Sequence, residues 1–351
     1  MYHQRSFTIG KMKSIIYFIT FIFCLYGSSV YAQLNAVKPR MRVIIDNDFG
    51  GDPDGLFQLV HHLLSPSVEM RGIIGSHLRA GDGWDTSKST ADHAKQKVEE
   101  VLKIMHLTGI VSVYAGSNFA LKNIDSPKTS AASDAIVKEA MRDDTKLPLY
   151  VVCGAGLTDI ASAFLSEPRI AKRLTLIWIG GPEYEGLAFP PPGASEMEYN
   201  LAIDPMAVQV VFNKSEIPIW QVPRNAYREV MISFSTLILK IKNEGEIGNY
   251  LFDQLDNLTK MFAKFHLNIG EIYILGDSPL VLLTALQSSF EPDPSSSQYA
   301  LKHCPIVNSK GLYEKNDSGR FIRVYTQLDV RLLFEDFYSK LTLLNEGNVK
   351  Q

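Results

Sequence analysis

A short acidic loop that directly follows an apolar run decides the fold of this chain. Residues 44–56 read Ile44-Ile45-Asp46-Asn47-Asp48-Phe49-Gly50-Gly51-Asp52-Pro53-Asp54-Gly55-Leu56. Arg42–Asp46 is apolar and β-branched enough to form a buried strand. Pro53 suits the first position of a helix, which would make Asp52 the N-cap. The segment therefore predicts a strand, an acidic turn and a helix in direct succession.

Apolar strand-like runs and helical patterns then alternate from Arg42 to Leu343. The predicted strands after the first are Glu69–Ile74, Val111–Tyr114, Leu149–Cys153, Leu174–Ile179 and Ile272–Leu275. The predicted helices are Leu56–Leu64, Ala91–Met105, Ala131–Met141, one from Ile160 to Leu165, and helices within Ser233–Phe265. Such alternation is typical of an α/β domain with a mostly parallel central sheet flanked by helices, which binds ligands at the strand carboxyl ends.

One segment, Glu183–Glu198, interrupts the alternation. It contains Phe189-Pro190-Pro191-Pro192-Gly193, which can form neither a helix nor a central strand. Long irregular loops in compact domains are often lids or binding loops. The segment follows a strand end, so it is either such a lid or a surface excursion.

Composition and charge narrow the class of protein. The chain has 351 residues, of which 46% are hydrophobic and 21% charged, which is typical of a globular protein. The 35 basic and 38 acidic residues give a net charge of −3 without a long run of like charge. We therefore expect neither a nucleic-acid partner nor a polybasic membrane anchor. Cys153 and Cys304 could pair, but they are predicted to be two buried, unpaired residues.

The N-terminal segment is typical of a secretory signal peptide. A basic start precedes the apolar run Ile15–Leu25, and the segment ends at the small residue Ala32. The run is shorter than the about 20 residues that span a bilayer. We therefore predict a signal peptide at residues 1–32, a mature domain at residues 33–351 that starts at Gln33, and a secreted or periplasmic protein without stable membrane association.

The acidic loop also predicts a bound cation. Residues 46–54 contain four carboxylates, which repel one another when they are crowded at a strand end. A cation is the simplest way to hold them together, and oxygen ligands alone favour calcium or magnesium over zinc. The alternative is a capped surface turn with solvated acids.

The loop resembles the signature of the calcium-dependent, inosine-uridine-preferring nucleoside hydrolases, in which a strand ends in Asp-x-Asp-x-Gly-x-Asp-Asp. The matching positions are Asp46, Asp48, Gly50 and Asp52. Pro53-Asp54 stands where the family has adjacent aspartates. Either Pro53 replaces the second aspartate, or one residue is inserted and Asp54 takes over one of the pair's roles. The second interpretation is preferred, with the division of metal and sugar binding between Asp52 and Asp54 left open.

Four further segments resemble the family in the same order along the chain. They are Gly154–Ile160, Ile179-Gly180-Gly181, Glu198-Tyr199-Asn200 followed by Asp204-Pro205, and Leu275–Leu280. Each match is short, but five in the family's order cover roughly the whole mature chain. The resemblance implies an open, Rossmann-like nucleoside hydrolase fold.

The resemblance also implies an activity and a set of site residues. The activity is hydrolysis of the N-glycosidic bond of a ribonucleoside or related riboside to free base and ribose, with a metal-bound water as nucleophile and Ca²⁺ as cofactor. The implied calcium ligands are Asp48, Asp52, Asp54, the Gly154 carbonyl and Asp277. Asp48 would also be the catalytic base. The implied substrate-binding residues are Asp52, Asp54, Trp84, Glu198 and Asn200.

Two departures from the family pattern leave a second function open. Gly276 stands where part of the family has a histidine that assists the leaving base, and Trp84 is a candidate to stack on the base instead. Other sources of a leaving-group acid would be the Glu183–Glu198 segment or Tyr227-Arg228. The alternative function is a non-catalytic riboside- or sugar-binding protein on the same fold. The expected partner is a small-molecule riboside, and the family implies a homo-oligomer.

Overall fold

A central sheet of eight strands organises the protein, whose computed structural model describes residues 37–290 and 294–347. The strands are β1 (Met41–Asn47), β2 (Val68–Gly75), β3 (Val113–Ala115), β4 (Leu149–Cys153), β5 (Leu174–Ile179), β6 (Ile219–Val222), β7 (Met231–Ser233), β8 (Ile272–Ile274), β9 (Gln298–His303), β10 (Ile306–Val307), β11 (Tyr313–Glu314) and β12 (Phe321–Gln327). The sheet has the order β3-β2-β1-β4-β5-β6-β12-β9. Only β9 runs antiparallel to its neighbour within it.

Helices cover both faces of this sheet. They are α1 (Asp54–Leu63), α2 (Thr90–Ile104), α3 (Ala131–Ala140), α4 (Thr158–Ser166), α5 (Tyr199–Ile203), α6 (Pro205–Gln209), α7 (Arg224–Tyr227), α8 (Phe234–Lys240), α9 (Gly245–Lys264), α10 (Pro279–Leu282) and α11 (Val330–Asn345), with a 3₁₀ turn at Pro168–Lys172 and a π turn at Val210–Lys214. Successive side chains of β1 enter opposite cores: Val43 and Ile45 pack in one cluster, and Ile44 packs in the other. The predicted α/β class with a mostly parallel sheet is confirmed.

The sheet has a topological switch point between β1 and β4. The chain extends from β1 through β2 to β3 on one side and then returns to build β4, β5 and β6 on the other. Open α/β sheets bind ligands in the crevice at such a point, outside the strand carboxyl ends. Here the crevice is lined by the acidic loop after β1 and by the residues after β4.

Most predicted elements are confirmed within a few residues, and two predictions need correction. Pro53, not Asp52, occupies the N-cap of α1, because the first helical residue is Asp54 and not Pro53. The predicted strand Ile272–Leu275 exists as β8, but it pairs antiparallel with β7 in a separate two-stranded ribbon. Strands β6, β7, β9, β10, β11 and β12 and helices α5, α6, α7 and α11 were not predicted.

The other sequence predictions concern the cysteines and the N-terminal segment. Cys153 and Cys304 are both buried and unpaired, as predicted. The predicted signal peptide, residues 1–32, lies outside the described residues. Within the described part of the chain, no helix combines the length and apolar character needed to cross a membrane.

The contact between β2 and α2 predicts the stability of a glycine variant. A Cβ added at Gly75 would lie 2.4 Å from the backbone nitrogen of Lys95 in α2. Gly75→Ala should therefore push the helix off the sheet and lower the free energy of unfolding by about 1–3 kcal/mol. Urea denaturation measures the change. Gly83→Ala is the matched control, since its Cβ would meet nothing within 4 Å. Equal stability of both variants would contradict this packing.

Candidate active site

A cavity of about 540 Å³ opens at the switch point, a size suited to a small-molecule ligand. All eight residues predicted for the site line it: Asp48, Asp52, Asp54, Trp84, Gly154, Glu198, Asn200 and Asp277. The sequence did not identify the other lining residues as site residues: Ile179, Tyr199, Tyr227, Ile269, Ile272, Tyr273, Ile274 and Gly276. The fold thus brings together residues that lie up to 229 positions apart along the chain.

The end of β1 places Asp48 at the floor of the cavity. Asp48 is 7% exposed, and its backbone N–H donates to Asn47 Oδ1 at 2.8 Å. Asp46, the first aspartate of the matched signature, does not line the cavity. It is fully buried behind the loop, where one carboxylate oxygen accepts from the Ser76 hydroxyl. Asp46 therefore supports the loop from inside.

Gly154, directly after β4, and Asp277, in the segment after β8, lie next to each other at the cavity floor. A Cβ at Gly154 would lie 2.7 Å from Asp277 Oδ1 and 2.6 Å from Asn47 Nδ2. Only a residue without a side chain fits there. The Gly154 carbonyl accepts from Asn200 Nδ2 at 3.2 Å. Gly154, the predicted carbonyl ligand, is therefore next to the Asp277 carboxylate.

Asp52 and Asp54 have different partners. Tyr273 Oη lies 2.8 Å from both carboxylate oxygens of Asp52, so its single hydroxyl hydrogen is shared between them. Asp54 Oδ2 accepts from the backbone N–H of Asp277 at 3.2 Å. Asp54 is thus adjacent to Asp277, whereas Asp52 is held against the β8 wall.

Burial and mutual repulsion make these carboxyl groups hard to ionise. Burial, followed by the charges of Asp277 and Asp52, raises the pKa of Asp48 well above its usual range. Burial and then the charge of Asp277 do the same to the pKa of Asp54. Burial raises the pKa of Asp52 to about 6, against the Tyr273 hydrogen bond, and that of Asp277 to about 7, against the Asn47 hydrogen bond. None of the described residues lining the cavity is a lysine, arginine or histidine.

The donor set fits a hard divalent cation. Four carboxylates and a backbone carbonyl offer oxygen atoms alone, and a cation would offset their repulsion. In residues 37–290 and 294–347, no three His, Cys, Asp or Glu side chains are already arranged as a metal-ligand set. Asp52 is turned to Tyr273, and one oxygen of Asp277 is turned to Asn47. Cation binding therefore requires Asp52 to turn inward, whereas Asp277 keeps its other oxygen, Oδ1, beside Gly154.

Glu198 and Asn200 form the opposite wall at the start of α5. Glu198 is 1% exposed: Oε2 accepts from the N–H groups of Gly181 and Leu201 at 2.8 and 3.1 Å, and Oε1 accepts from Tyr227 Oη at 2.9 Å. Burial raises its pKa despite these bonds. The Asn200 amide group donates to the carbonyls of Ile179 and Gly154, which leaves Oδ1 as its acceptor for a ligand.

The outer part of the cavity is apolar and aromatic. Ile269, Ile272 and Ile274 line it together with half-buried Trp84. A Cβ at Gly276 would lie 3.3 Å from both Asp54 Oδ2 and the Tyr227 ring, so that ring occupies the space beside position 276.

The Glu183–Glu198 segment is a surface excursion in this structure. Only Glu198 lines the cavity, and Phe189 is 94% exposed. Arg224 anchors the segment through Glu183, at 2.6 Å, and through the Ser195 carbonyl, at 2.8 Å.

Tyr273 and Tyr227 are the main site residues that sequence reasoning did not assign a role. The signal for Tyr273 was its place in a predicted strand just before Gly276-Asp277, and Tyr227 was noted only as a possible source of an acid. Their hydroxyl groups contact Asp52 and Glu198 across 221 and 29 residues of sequence, so no local pattern marks them.

Comparisons with known proteins identify the family of the chain. Residues 43–326 match the family model described as inosine-uridine preferring nucleoside hydrolase. The chain is therefore a member of the inosine-uridine-preferring nucleoside hydrolase family, and the predicted resemblance is confirmed.

The individual relatives match this chain at low sequence identity or over only part of its length. An inosine-uridine preferring nucleoside hydrolase of Leishmania major is 27% identical over 214 residues, which cover 59% of this chain and 60% of the relative. One of Crithidia fasciculata is 39% identical over 92 residues, 26% of each chain. The chain thus matches less than two thirds of either relative. The structure of a purine-preferring ribonucleoside hydrolase from Gardnerella vaginalis superposes with a TM-score of 0.68 at 17% identity, covering 87% of this chain and 99% of that one. This likeness confirms the fold.

The raised carboxyl pKa values predict how stability depends on pH and calcium. Asp52 and Asp277 titrate near 6 and 7 when folded, against an ordinary value of 3.8. The folded state therefore binds more protons than the unfolded state between these values, so without a cation its stability falls as pH rises from about 4 to about 7. Calcium should raise the melting temperature more at about pH 8 than at about pH 5, because protons compete for the same oxygens.

The control for this measurement is Asp277→Asn, which removes one titrating group. Its melting temperature should fall less with pH, and calcium should raise it less. An equal calcium response in both proteins at both pH values would show that Asp277 does not contribute to the cation site.

Proposed function

We propose that this protein is an N-ribosyl hydrolase, which cleaves the N-glycosidic bond of a ribonucleoside or related riboside to free base and ribose. One observation carries the proposal: eight residues chosen from the sequence line a single cavity at the switch point of a nucleoside hydrolase family member. The acidic floor suits a sugar with several hydroxyl groups, and the apolar outer part suits a flat base.

We propose calcium as the cation. Asp48, Asp54, Asp277 and the Gly154 carbonyl would hold it, and Asp52 would join them or bind the sugar after release from Tyr273. When bound, such an ion coordinates neighbouring hydroxyl groups and lowers the pKa of a coordinated water. The proximity of Asp54 to Asp277 supports metal binding by Asp54 and sugar binding by Asp52.

Glycoside cleavage passes through an oxocarbenium-like transition state, and different side chains take different roles in it. Asp48 is the general base and takes the proton of the attacking water. The negative potential of the carboxylates stabilises the positive charge that develops on the sugar. Glu198 and Asn200 hold ribose hydroxyl groups, and the hydrogen bonds that fix both side chains reduce the entropy lost on binding.

The leaving base has no histidine beside it at position 276. Trp84 lines the cavity and can stack on a base, and the Tyr227 hydroxyl is engaged with Glu198. We propose that catalysis depends mainly on activation of the water and stabilisation of the sugar cation, and only weakly on protonation of the base.

The direct test is hydrolysis of inosine, uridine and p-nitrophenyl riboside with and without a chelator. We expect turnover that a chelator abolishes and calcium restores. Asp48→Asn should lower kcat by about 10²–10⁴-fold, the contribution typical of a general base. Chelator-resistant turnover would contradict the metal role. Calcium-dependent riboside binding without turnover would instead establish the binding-protein alternative.

The absence of a leaving-group histidine predicts the order of substrates. The activated p-nitrophenyl riboside should exceed inosine and uridine in kcat/KM by about 10²–10⁴-fold, the size of general-acid assistance. Trp84→Ala should remove any preference for purine over pyrimidine and spare the activated substrate, whereas Trp84→Phe should retain part of the preference. Similar rates for uridine and the activated riboside would mean that another residue protonates the base.

Export and self-association remain predictions. We propose that residues 1–32 direct secretion or transfer to the periplasm and are then removed. Mass spectrometry of the exported protein should find Gln33 at its N-terminus. The homo-oligomer implied by the family is tested by light scattering of the mature protein.

A further inference from the structure

A chain of buried polar side chains leads away from the cavity floor into the core. It runs from Asp277 through Asn47, Gln58 and His62 to Thr284. Asn47, Gln58 and Thr284 are 0% exposed and His62 is 1% exposed. The chain links the end of β1, the interior of α1 and the segment after α10, and no function described above requires it.

Asn47 joins two of the proposed calcium ligands. Its Oδ1 accepts from the backbone N–H of Asp48 at 2.8 Å, and its Nδ2 donates to Asp277 Oδ2 at 2.9 Å. An N–H group can only donate, so Oδ1 must face Asp48 and the amino group must face Asp277. One amide therefore sets the position of the Asp48 backbone and of the Asp277 carboxylate together.

The orientation of Asn47 fixes every later link. Asn47 Nδ2 donates to Gln58 Oε1 at 3.3 Å, which turns Gln58 Nε2 toward His62 Nδ1. His62 Nδ1 must then accept, so the ring hydrogen is on Nε2 and points to Thr284 Oγ1 at 2.9 Å. The Thr284 hydroxyl in turn donates to the Leu280 carbonyl at 2.6 Å. Only one direction of hydrogen bonding satisfies all these groups.

The chain requires a neutral His62, and its surroundings provide one. Burial, and then the charges of His61 and Lys340, lower the pKa of His62 well below its ordinary value. A neutral ring has one acceptor and one donor nitrogen, as the chain of contacts requires. This series of hydrogen bonds therefore has a single orientation, because reversing any one amide would place two donors or two acceptors face to face.

We propose that Asn47, Gln58 and His62 are positioning residues that hold Asp48 and Asp277 in the geometry needed for calcium binding. This inference rests on the proposed metal-dependent function. Partners behind metal ligands typically contribute about 10–100-fold to metal affinity. None of the three is a catalytic residue, because each acts through the ligands.

Calorimetric titration with calcium chloride tests the proposal on the full mature protein. Asn47→Ala should weaken calcium binding by about 10–100-fold. His62→Leu should weaken it as well, through loss of the anchor for Gln58. His61→Leu is the matched control: His61 is the neighbouring residue of α1 and is 2% exposed, but its Nε2 pairs with Asp336, outside the chain of contacts. It should retain the calcium affinity even if its melting temperature drops.

Nitrogen NMR of the His62 ring provides a readout that a general packing role would not affect. The unsubstituted protein should show the Nε2–H form alone, and Asn47→Ala should yield a mixture of the two neutral forms, because Gln58 can then reverse. If Asn47→Ala does not fold, His62→Leu against His61→Leu makes the same comparison for calcium affinity.

The outcomes separate this inference from the proposed function. Unchanged calcium affinity in Asn47→Ala and His62→Leu would overturn the positioning role and leave the proposed function intact. The Nδ1–H form in the unsubstituted protein would also overturn it. Failure of the unsubstituted protein to bind calcium would overturn the proposed metal site and the positioning role together.

Discussion

The repulsion among buried and half-buried carboxylates at the switch point is the constraint on which the site depends. Asp48, Asp52, Asp54 and Asp277 surround one cavity, and no basic residue lies among its described lining residues. Ionising such groups away from water costs free energy unless protons or a cation compensate. The fold supplies the scaffold that tolerates this cost, because the carboxyl ends of parallel strands direct the loops after β1 and β4 into one crevice. At Gly154, the absence of a side chain lets the Asp277 carboxylate lie directly against the backbone.

The cavity has a polar inner part and an apolar outer part. Carboxylates and the Asn200 amide form its floor and inner wall, which offer hydrogen-bond acceptors to a polar ligand. Isoleucines 269, 272 and 274, together with Trp84, form its outer part, where a flat ring can be shielded from water. Two tyrosines of the cavity lining, Tyr273 on Asp52 and Tyr227 on Glu198, hold these carboxylates in place. Under the proposed function, the site would therefore orient a sugar more strictly than a base.

Sequence reasoning found the inner half of the site because its residues follow predictable strands. Central strands such as β4 and β5 are buried on both faces, so they read as continuous apolar runs, and Asp48 and Gly154 come directly after such runs. Strands β6 and β12 were missed because β6 has only four residues and β12 mixes polar with apolar side chains. Asn47 and Tyr273 act through contacts across 230 and 221 residues, which no local pattern reveals. The helix start at Asp54 was misplaced by one residue, an error typical of boundary prediction.

A crystal structure of the mature protein grown with calcium tests the central claim most directly, because anomalous scattering locates the ion. The account predicts one ion per chain at the cavity floor, at about 2.3–2.6 Å from oxygen atoms of Asp48, Asp277 and the Gly154 carbonyl. A cavity floor without an ion at saturating calcium, with Asp52 still bound to Tyr273, would contradict it.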